Sequence, residues 1–215
     1  MKTGTIRFGG RFARRVVFCL FGFASCMTSV MAQSSAVATP SATRGPYYPE
    51  ASMRFRDVDN DLLRISDGRI DRAKGIPFTL KGRLLDMAGK PLAGGRIEIW
   101  QTDANGRYIH TDDDGETLRD PGFQGYGTTI TDSEGRFSFR TIKPTAYPGR
   151  TPHIHVKIRH RKKGLITQLY IADHESNRRD GLFRRMSAEE QNAVSLRFNE
   201  GGQGLESRLD IRLER

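Results

Sequence analysis

Short stretches rich in β-branched and aromatic residues recur along this chain, and turns rich in glycine, aspartate and proline separate them. Stretches of this kind predict β-strands. Most of them have no helical pattern of about ten to fifteen residues between them, which favours an all-β fold of antiparallel sheets packed as a β-sandwich with Greek-key-like connections. The clearest predicted strands are residues 78–85, 96–101, 127–131, 137–142, 153–158, 165–171 and 209–213.

One segment near the C-terminus has a helical pattern. Ser187 and Glu190 have the spacing of a capping box, in which the serine side chain and the glutamate side chain each satisfy a free backbone N–H. Residues 193–197 continue at helical spacing as far as the glycine pair at 201–202. The sequence therefore predicts one short C-terminal helix that ends at these glycines.

The N-terminus has the pattern of a signal peptide. A basic stretch precedes an apolar run over residues 16–30, and small or short residues follow up to Ala32. We expect residues 1–32 to be a signal peptide, which implies a periplasmic or secreted protein. A lipid anchor at Cys26 is a weaker alternative. Cys19 and Cys26 are the only cysteines and lie inside this leader, so the mature chain has no thiol chemistry.

Residues 33–44 are small and polar and predict a flexible tether, so the folded domain is expected to span residues 45–215. The whole chain carries 35 Lys and Arg against 25 Asp and Glu, a net charge of +10. Residues 1–32 contain five of the basic residues and no acidic one, so the remainder carries 30 against 25, or +5. This mild excess of positive charge suits anionic small molecules. The sequence has no basic run interleaved with aromatic residues of the kind that indicates nucleic-acid binding.

The sharpest local signal for chemistry is the sequence His153-Ile154-His155. Residues two apart on a strand share a face, so both imidazoles are expected on one side and Ile154 on the apolar side. A metal site and a pair of partly exposed histidines both fit this pattern. Tyr147 and Arg150 lie just upstream, and tyrosinate combined with imidazole suits Fe(III) better than Zn(II) or Mg(II).

A longer series of motifs runs in a fixed order along the chain, and through it the sequence resembles the intradiol ring-cleavage dioxygenases. This is the family of protocatechuate 3,4-dioxygenase and catechol 1,2-dioxygenase, here with the features of an exported type. The motifs include Gly-Pro-Tyr-Tyr-Pro at 45–49, Ile-Glu-Ile-Trp-Gln-Thr-Asp-Ala-Asn-Gly-Arg-Tyr at 97–108, Arg-Thr-Pro-His-Ile-His at 150–155 and Thr-Gln-Leu-Tyr at 167–170.

The resemblance implies a mononuclear non-haem Fe(III) centre whose ligands are Tyr108, Tyr147, His153 and His155. Without the family, Tyr108 could not be distinguished from an ordinary strand tyrosine. The resemblance also places Arg150 and Gln168 beside the iron, where they stabilise charge on the substrate. Tyr147 matches the ligand that the substrate displaces, and it then acts as a base.

The activity implied is cleavage of a catechol ring between its two hydroxylated carbons by O2, which gives a cis,cis-muconate-type diacid. Gly45, Pro46 and Tyr47 either line the substrate mouth or only pack the first strand. Two residues separate Tyr147 from Arg150, fewer than in protocatechuate enzymes, which predicts a more open site. The alternative is a non-catalytic sandwich of the same ancestry that binds a metal, an aromatic compound or a carbohydrate, and a homo-oligomer is left open.

Overall fold

The structure is a computed structural model that describes residues 37–56, 58–65 and 73–214, together with Met1 and Gly4. These residues, Met1 and Gly4 aside, belong to one compact unit, Ser35–Arg215. Apart from Met1 and Gly4, the predicted signal peptide with its two cysteines lies outside the described residues, as do residues 33–36 of the predicted tether. None of the described helices is long and apolar enough to cross a membrane.

Within the described residues, ten strands form two five-stranded sheets. This arrangement confirms the predicted all-β sandwich, and each of the seven predicted strands is present. The strands are β1 (Pro77–Asp86), β2 (Arg96–Gln101), β3 (Tyr126–Ile130), β4 (Arg136–Ile142), β5 (His153–His160), β6 (Lys163–Ile171), β7 (Ser195–Leu196), β8 (Phe198–Gly201), β9 (Gly204–Arg208) and β10 (Ile211–Leu213).

Most strand pairs are antiparallel, and the exceptions involve the last part of the chain. In the first sheet β4 pairs with one edge of β1, while β9 and then β10 pair in parallel with its other edge. The second sheet has the order β3-β2-β5-β6-β7, and only the β6–β7 pair is parallel. The C-terminal segment thus adds three short parallel pairings to a framework that is otherwise antiparallel.

The core lies between the two sheets. Inward-facing side chains alternate with outward-facing ones along each strand, as pleated strands require. Each large apolar side chain that is removed from water contributes about 1.5–3 kcal/mol, so this layer stabilises the sandwich independently of any functional site. Its buried members include Phe78, Leu80, Ile97, Ile99, Phe139, Ile154, Val156 and Ile158.

The C-terminal helix, α1, spans Ala188–Ala193 and begins with the predicted capping box. The prediction that it continues to the glycine pair was wrong, because the chain leaves the helical conformation at Val194. Ser195 and Leu196 instead pair with Tyr170 and Ile171 of β6. Val194 and Leu196 are fully buried, so burial in the sandwich core outweighs the continuation of a short exposed helix.

Residues 37–49, which we call the N-terminal strap, connect the two sheets along their surface. The backbone N–H of Thr39 donates to the carbonyl of Arg212 in β10 at 3.1 Å, and the N–H of Ala42 donates to the carbonyl of Ile166 in β6 at 2.8 Å. The side-chain amide of Gln168 donates to the carbonyl of Thr43 at 3.0 Å. The described part of the predicted tether, residues 37–44, therefore makes hydrogen bonds to both sheets.

Candidate metal centre

The histidine pair lies on the outer face of the second sheet. His155 is opposite Trp100 of β2 and Gln168 of β6, and His153 is opposite Tyr170 of β6. Directly opposed residues of antiparallel strands share a face, so these five side chains project to the same side. Both histidines are nonetheless only 2% exposed. This face is covered, and the two imidazoles form the floor of a buried polar site.

A tight turn after β2 presents Tyr108 to this site. The carboxylate of Asp103 accepts hydrogen bonds from the backbone N–H groups of Asn105 and Arg107 at 2.8 and 2.9 Å, and Gly106 supplies a positive φ of +77°. The backbone N–H of Tyr108 donates to the carboxylate of Asp113. The turn signal in the sequence, with Asp at its start and Gly near its end, thus corresponds to a turn that holds a buried phenol in position.

A second turn presents Tyr147. Pro148 and Gly149 occupy its centre, Gly149 has φ +78°, and the backbone N–H of Arg150 donates to the carbonyl of Tyr147 at 3.0 Å. Proline followed by a glycine of positive φ is typical of a type II turn. The turn places the phenol and the guanidinium on one short, rigid segment.

The four predicted metal ligands converge. The Nε2 atoms of His153 and His155 are 3.1 Å apart, and the hydroxyl oxygen of Tyr108 is 3.2 Å from Nε2 of His155. The ring of Tyr147 has its centroid 5.5 Å from that of Tyr108 and 5.6 Å from that of His153. Two donors bound to one metal at about 2.1 Å lie roughly 3 Å apart when the bonds meet at right angles, so these separations suit a shared ion.

Burial keeps both imidazoles neutral at pH 7. It lowers the pKa of His153 to about 4, with a further contribution from the positive charge of Arg150. Burial, together with His153 and Arg150, lowers the pKa of His155 well below its usual value. Nδ1 of His153 lies 2.7 Å from the carbonyl oxygen of Thr151, which can only accept, so Nδ1 carries the proton and Nε2 offers its lone pair.

The donor set fits a ferric ion better than the common alternatives. Burial raises the pKa of Tyr108 well above its usual value, so this phenol needs a cation beside it to ionise. Phenolate oxygen and imidazole nitrogen together suit Fe(III), whereas structural Zn sites favour thiolates and Mg sites favour carboxylates and water. The described part of the chain has no cluster of three or more His, Cys, Asp or Glu side chains that could hold a metal.

Arg150 borders the four predicted ligands and uses all three of its nitrogens. Nη1 donates to the hydroxyl of Tyr147 at 3.3 Å, Nη2 to Oε1 of Gln168 at 2.6 Å, and Nε to Oδ2 of Asp180 at 2.8 Å. The hydroxyl of Tyr170 also donates to Oε1 of Gln168, at 2.8 Å. The structure therefore brings the predicted pair Arg150 and Gln168 into one hydrogen-bonded unit beside the site.

Sequence reasoning missed Asp180, which anchors this unit. Its side chain is fully buried, and it accepts hydrogen bonds from Arg150 and from the backbone N–H groups of Thr151, Leu182 and Phe183. Burial alone would raise the pKa of Asp180, but the hydrogen bonds from Phe183, Thr151 and Arg150 and the charge of Arg150 together lower it. Asp180 lies in a loop 30 residues after Arg150, and no local pattern marks it.

The N-terminal strap contributes two of the three predicted substrate residues to the surroundings of the site. The ring of Tyr47 lies 5.1 Å from that of Tyr108 and 6.2 Å from that of Tyr147. The backbone of Gly45 lies against the imidazole of His155, close enough that a Cβ atom would be 3.0 Å from its Cε1. Pro46, between them, is exposed.

Comparison with known proteins identifies relatives of this chain. The family model Dioxygenase_C, described as a dioxygenase, matches residues 43–215. The chain is 36% identical over 201 residues to the protocatechuate 3,4-dioxygenase beta chain of Burkholderia cepacia, a match that covers 80% of this chain and 84% of that protein. It is 32% identical over 169 residues to a catechol 1,2-dioxygenase of Candida albicans, covering 67% of this chain and 51% of that enzyme.

Solved structures show the same fold. The dioxygenase domain of a dioxygenase–carbohydrate-binding protein fusion from Streptomyces sp. SirexAA-E superposes with a TM-score of 0.61 and 31% identity, covering 83% of this chain and 99% of that domain. An intradiol ring-cleavage dioxygenase from Tetranychus urticae has a TM-score of 0.63 and 23% identity, covering 83% of this chain and 95% of the other. The family predicted from the sequence motifs is confirmed: this chain belongs to the intradiol ring-cleavage dioxygenases and is an oxidoreductase.

Proposed function

We propose that this enzyme holds one Fe(III) ion between Tyr108, Tyr147, His153 and His155 and uses it to cleave catechols with O2. The observation that carries the proposal is the convergence of two neutral imidazole nitrogens, 3.1 Å apart, with two phenols in a buried site. The product is a cis,cis-muconate-type diacid. Both oxygen atoms of O2 enter the product, so the reaction needs no external reductant.

Iron, when bound, supplies the charge that lets a chelated catechol lose both hydroxyl protons and makes its ring reactive toward O2. The two tyrosines have different roles in this proposal. Tyr108 is 2% exposed and its backbone is tied to Asp113, so it stays in place. Tyr147 is only partly buried and lies on an exposed turn. We assign to Tyr147 the role of the ligand that makes room for the substrate and accepts one of its protons.

Arg150 and Gln168 act on charge at the substrate rather than on the metal. The guanidinium lies beside the phenol of Tyr147, so it faces the position where the substrate oxygens replace that phenol. A preorganised donor aimed at developing negative charge typically contributes about 2.7–4 kcal/mol to the transition state. Gln168 holds the guanidinium at Nη2, while Thr43 of the N-terminal strap holds Gln168.

We propose that the enzyme accepts catechols as a class and requires no particular substituent on the ring. The loop that would otherwise wall the site is reduced to a four-residue turn whose central residues, Pro148 and Gly149, are exposed. On this basis we propose a more open mouth, lined by Tyr47 together with Gly45 and Pro46. The relatives named above act on protocatechuate and catechol, and we propose the same chemical class here.

We also propose that the enzyme works outside the cytoplasm, on the basis of the sequence pattern over residues 1–32. The mass of the protein recovered from the periplasm or the medium tests this proposal. Cleavage after Ala32 supports export by signal peptidase. A chain that keeps residues 1–32 and remains in the cytoplasm contradicts it.

The first experiment is the visible absorption spectrum of the purified iron-loaded protein, before and after anaerobic addition of catechol. A broad tyrosinate-to-Fe(III) charge-transfer band that moves to longer wavelength with catechol supports the centre and its open coordination. Oxygen uptake with catechol, protocatechuate, hydroxyquinol and 4-methylcatechol then tests turnover. A coloured protein without oxygen uptake on any of the four favours the non-catalytic binding module, and a colourless protein after iron loading contradicts the metal centre.

A further inference from the structure

The two imidazoles of the site are held in different ways. Nδ1 of His153 makes a hydrogen bond to the carbonyl oxygen of Thr151, the usual means by which a metal-binding histidine is oriented. Nδ1 of His155 is buried and has no hydrogen-bond partner among the described residues. No described residue makes a hydrogen bond to Nδ1 that would orient the ring of His155, so other contacts must orient it from that side.

Trp100 covers one face of this ring. The two ring systems are stacked, with centroids 4.7 Å apart and planes at 7°. Trp100 is fully buried, and it lies directly opposite His155 in the β2–β5 register. Nε1 of Trp100 also has no hydrogen-bond partner among the described residues, so the contribution of the indole is its flat surface.

Gly45 limits the ring at Cε1. A Cβ atom at this position would lie 3.0 Å from Cε1 of His155, closer than nine in ten real Cβ contacts, and 3.6 Å from Nε2, an ordinary contact distance. The position of Gly45 is itself fixed, because its N–H donates to Oγ1 of Thr43 at 3.0 Å and the carbonyl of Thr43 accepts from Gln168. The strap backbone thus contacts the same imidazole that Trp100 covers.

Trp100 is in turn braced by a cluster of charged and hydrogen-bonded groups. The ring of Tyr48 meets Trp100 edge-on with centroids 5.0 Å apart. The hydroxyl of Tyr48 donates to the buried carboxylate of Glu98 at 2.7 Å and accepts from Lys157 at 2.9 Å and from Arg54 at 3.1 Å. These contacts fix the aromatic side chain that supports the imidazole.

We infer that Trp100 and Gly45 are positioning residues. They form a packing clamp on His155 that sets its metal affinity, in place of a hydrogen bond that no described residue makes to its Nδ1. The inference rests on the proposed function, since His155 is a proposed iron ligand. Loss of the partners that orient a metal-binding histidine typically lowers metal affinity about 10–100-fold. Substitutions in the clamp should have an effect of this size although neither residue binds the metal.

Gly45→Ala and a matched control, Gly94→Ala, test the clamp from the strap side. Gly45 has φ +71° and Gly94 has φ +73°, so both substitutions impose the same backbone strain, but a Cβ at Gly94 has nothing within 4 Å. Equilibrium dialysis against Co(II) gives the affinity of each variant. We expect Gly45→Ala to bind Co(II) at least about tenfold more weakly than Gly94→Ala. Equal affinities would overturn the role of Gly45.

Trp100→Phe and Trp100→Leu test the stacked face. Phenylalanine keeps a flat ring and loses no hydrogen bond, so Trp100→Phe should stay within about threefold of the unaltered affinity while Trp100→Leu falls at least about tenfold. Phe139→Leu, at a fully buried core position, controls for the general effect of replacing a buried aromatic residue. In iron-loaded protein the charge-transfer band should shift in Trp100→Leu and not in Phe139→Leu. If Trp100→Leu behaves like Phe139→Leu in both measurements, the clamp is wrong.

The chain contains a single tryptophan, so its fluorescence provides a third measurement that does not depend on any variant folding. Paramagnetic Co(II) bound beside His155 should quench the emission of Trp100 in step with dialysis-measured occupancy. Full occupancy without quenching would place the metal away from Trp100 and overturn the inference. An unaltered protein that binds Co(II) with quenching but takes up no O2 when iron-loaded would contradict the catalytic proposal alone, and failure to bind any metal would contradict both.

Discussion

Arg150 contacts Tyr147 twice: its backbone N–H closes the turn onto the carbonyl of Tyr147 at 3.0 Å, and its Nη1 donates to the hydroxyl of the same residue at 3.3 Å. The phenol assigned to leave the metal and the cation assigned to stabilise the substrate are therefore parts of one turn. When the phenol moves away, Nη1 loses the hydrogen-bond partner that it has in the enzyme without substrate. A donor that is freed as the substrate oxygens arrive stabilises the transition state more than it stabilises the enzyme without substrate.

The first prediction concerns Arg150→Gln. We expect turnover to fall about 10²–10³-fold, as for removal of a preorganised donor, while the iron content of the protein stays unchanged. Steady-state oxygen uptake and metal analysis of the same sample check this. The turnover of Arg150→Lys, which keeps the charge but not the planar fork, should lie between the turnover of the unaltered enzyme and that of Arg150→Gln. A variant that simply loses its iron would show that Arg150 supports the metal site instead.

The second prediction separates the two tyrosines. Tyr108→Phe removes a fully packed phenol whose position is fixed by Asp113, so we expect loss of most of the charge-transfer intensity and a lower iron affinity. Tyr147→Phe should keep iron and part of the colour, since Tyr108 remains, but should bind catechol more slowly because one proton acceptor is gone. Iron content and stopped-flow spectra under anaerobic conditions measure both effects. Identical behaviour of the two variants would contradict the division of roles.

Much of the fold was predictable because strand alternation is a local property. The apolar side chains of Ile154 and Val156 point into the core, and His153 and His155 point outward, as their spacing in the sequence requires. The same pattern predicts nothing about what covers the outward face. The burial of the histidines depends on the N-terminal strap and on loops that are distant in sequence.

The missed features share this cause. Asp180 reaches Arg150 across 30 residues, and Trp100 reaches His155 through a strand pairing that no short motif encodes. The end of α1 was misjudged because the burial of Leu196 in the sandwich, a tertiary effect, overrides its helical spacing. Tyr108 and Gln168 were identified through the family resemblance alone, and the geometry now gives their neighbours.

The third prediction concerns Asp180→Asn. The substitution keeps the size of the side chain but leaves Arg150 without its charged partner in a buried position, and breaking a buried pair of this kind costs about 3–5 kcal/mol. We expect a lower midpoint of unfolding by urea and, in the folded fraction, reduced turnover with normal iron content. Asp210→Asn, at an exposed ion pair with Arg83, serves as the control and should change stability by less than about 1 kcal/mol.

The fourth prediction compares two glycines of nearly identical conformation in the two turns of the site. Gly106 has φ +77° and a Cβ there would lie 3.0 Å from the carbonyl oxygen of Ala146, beside Tyr147, whereas a Cβ at Gly149, with φ +78°, would meet nothing within 4 Å. Alanine at either position costs about 1–2 kcal/mol of backbone strain. Only Gly106→Ala should also weaken iron binding, because it pushes the two turns apart. Thermal unfolding measures the backbone strain in each variant, and iron affinity measures whether the two turns have been displaced.

The last prediction is a loss of stability in acid through two buried carboxylates. Burial alone would raise the pKa of Glu98, but hydrogen bonds from Tyr48 and Arg96 and the charges of Lys157 and Arg96 lower it, and the pKa of Asp180 is lowered likewise. A carboxylate whose pKa is lower in the folded state contributes stability that is complete above its unfolded value, about 4, and is lost as the pH falls through the folded value. The contribution of these two groups to the free energy of unfolding by urea should therefore be nearly constant at pH 6–7 and should decline below about pH 4. In Glu98→Gln and Asp180→Asn the decline should be shallower, since each variant has one fewer proton to take up on unfolding. An acid slope that is unchanged in both variants would show that other groups govern acid unfolding.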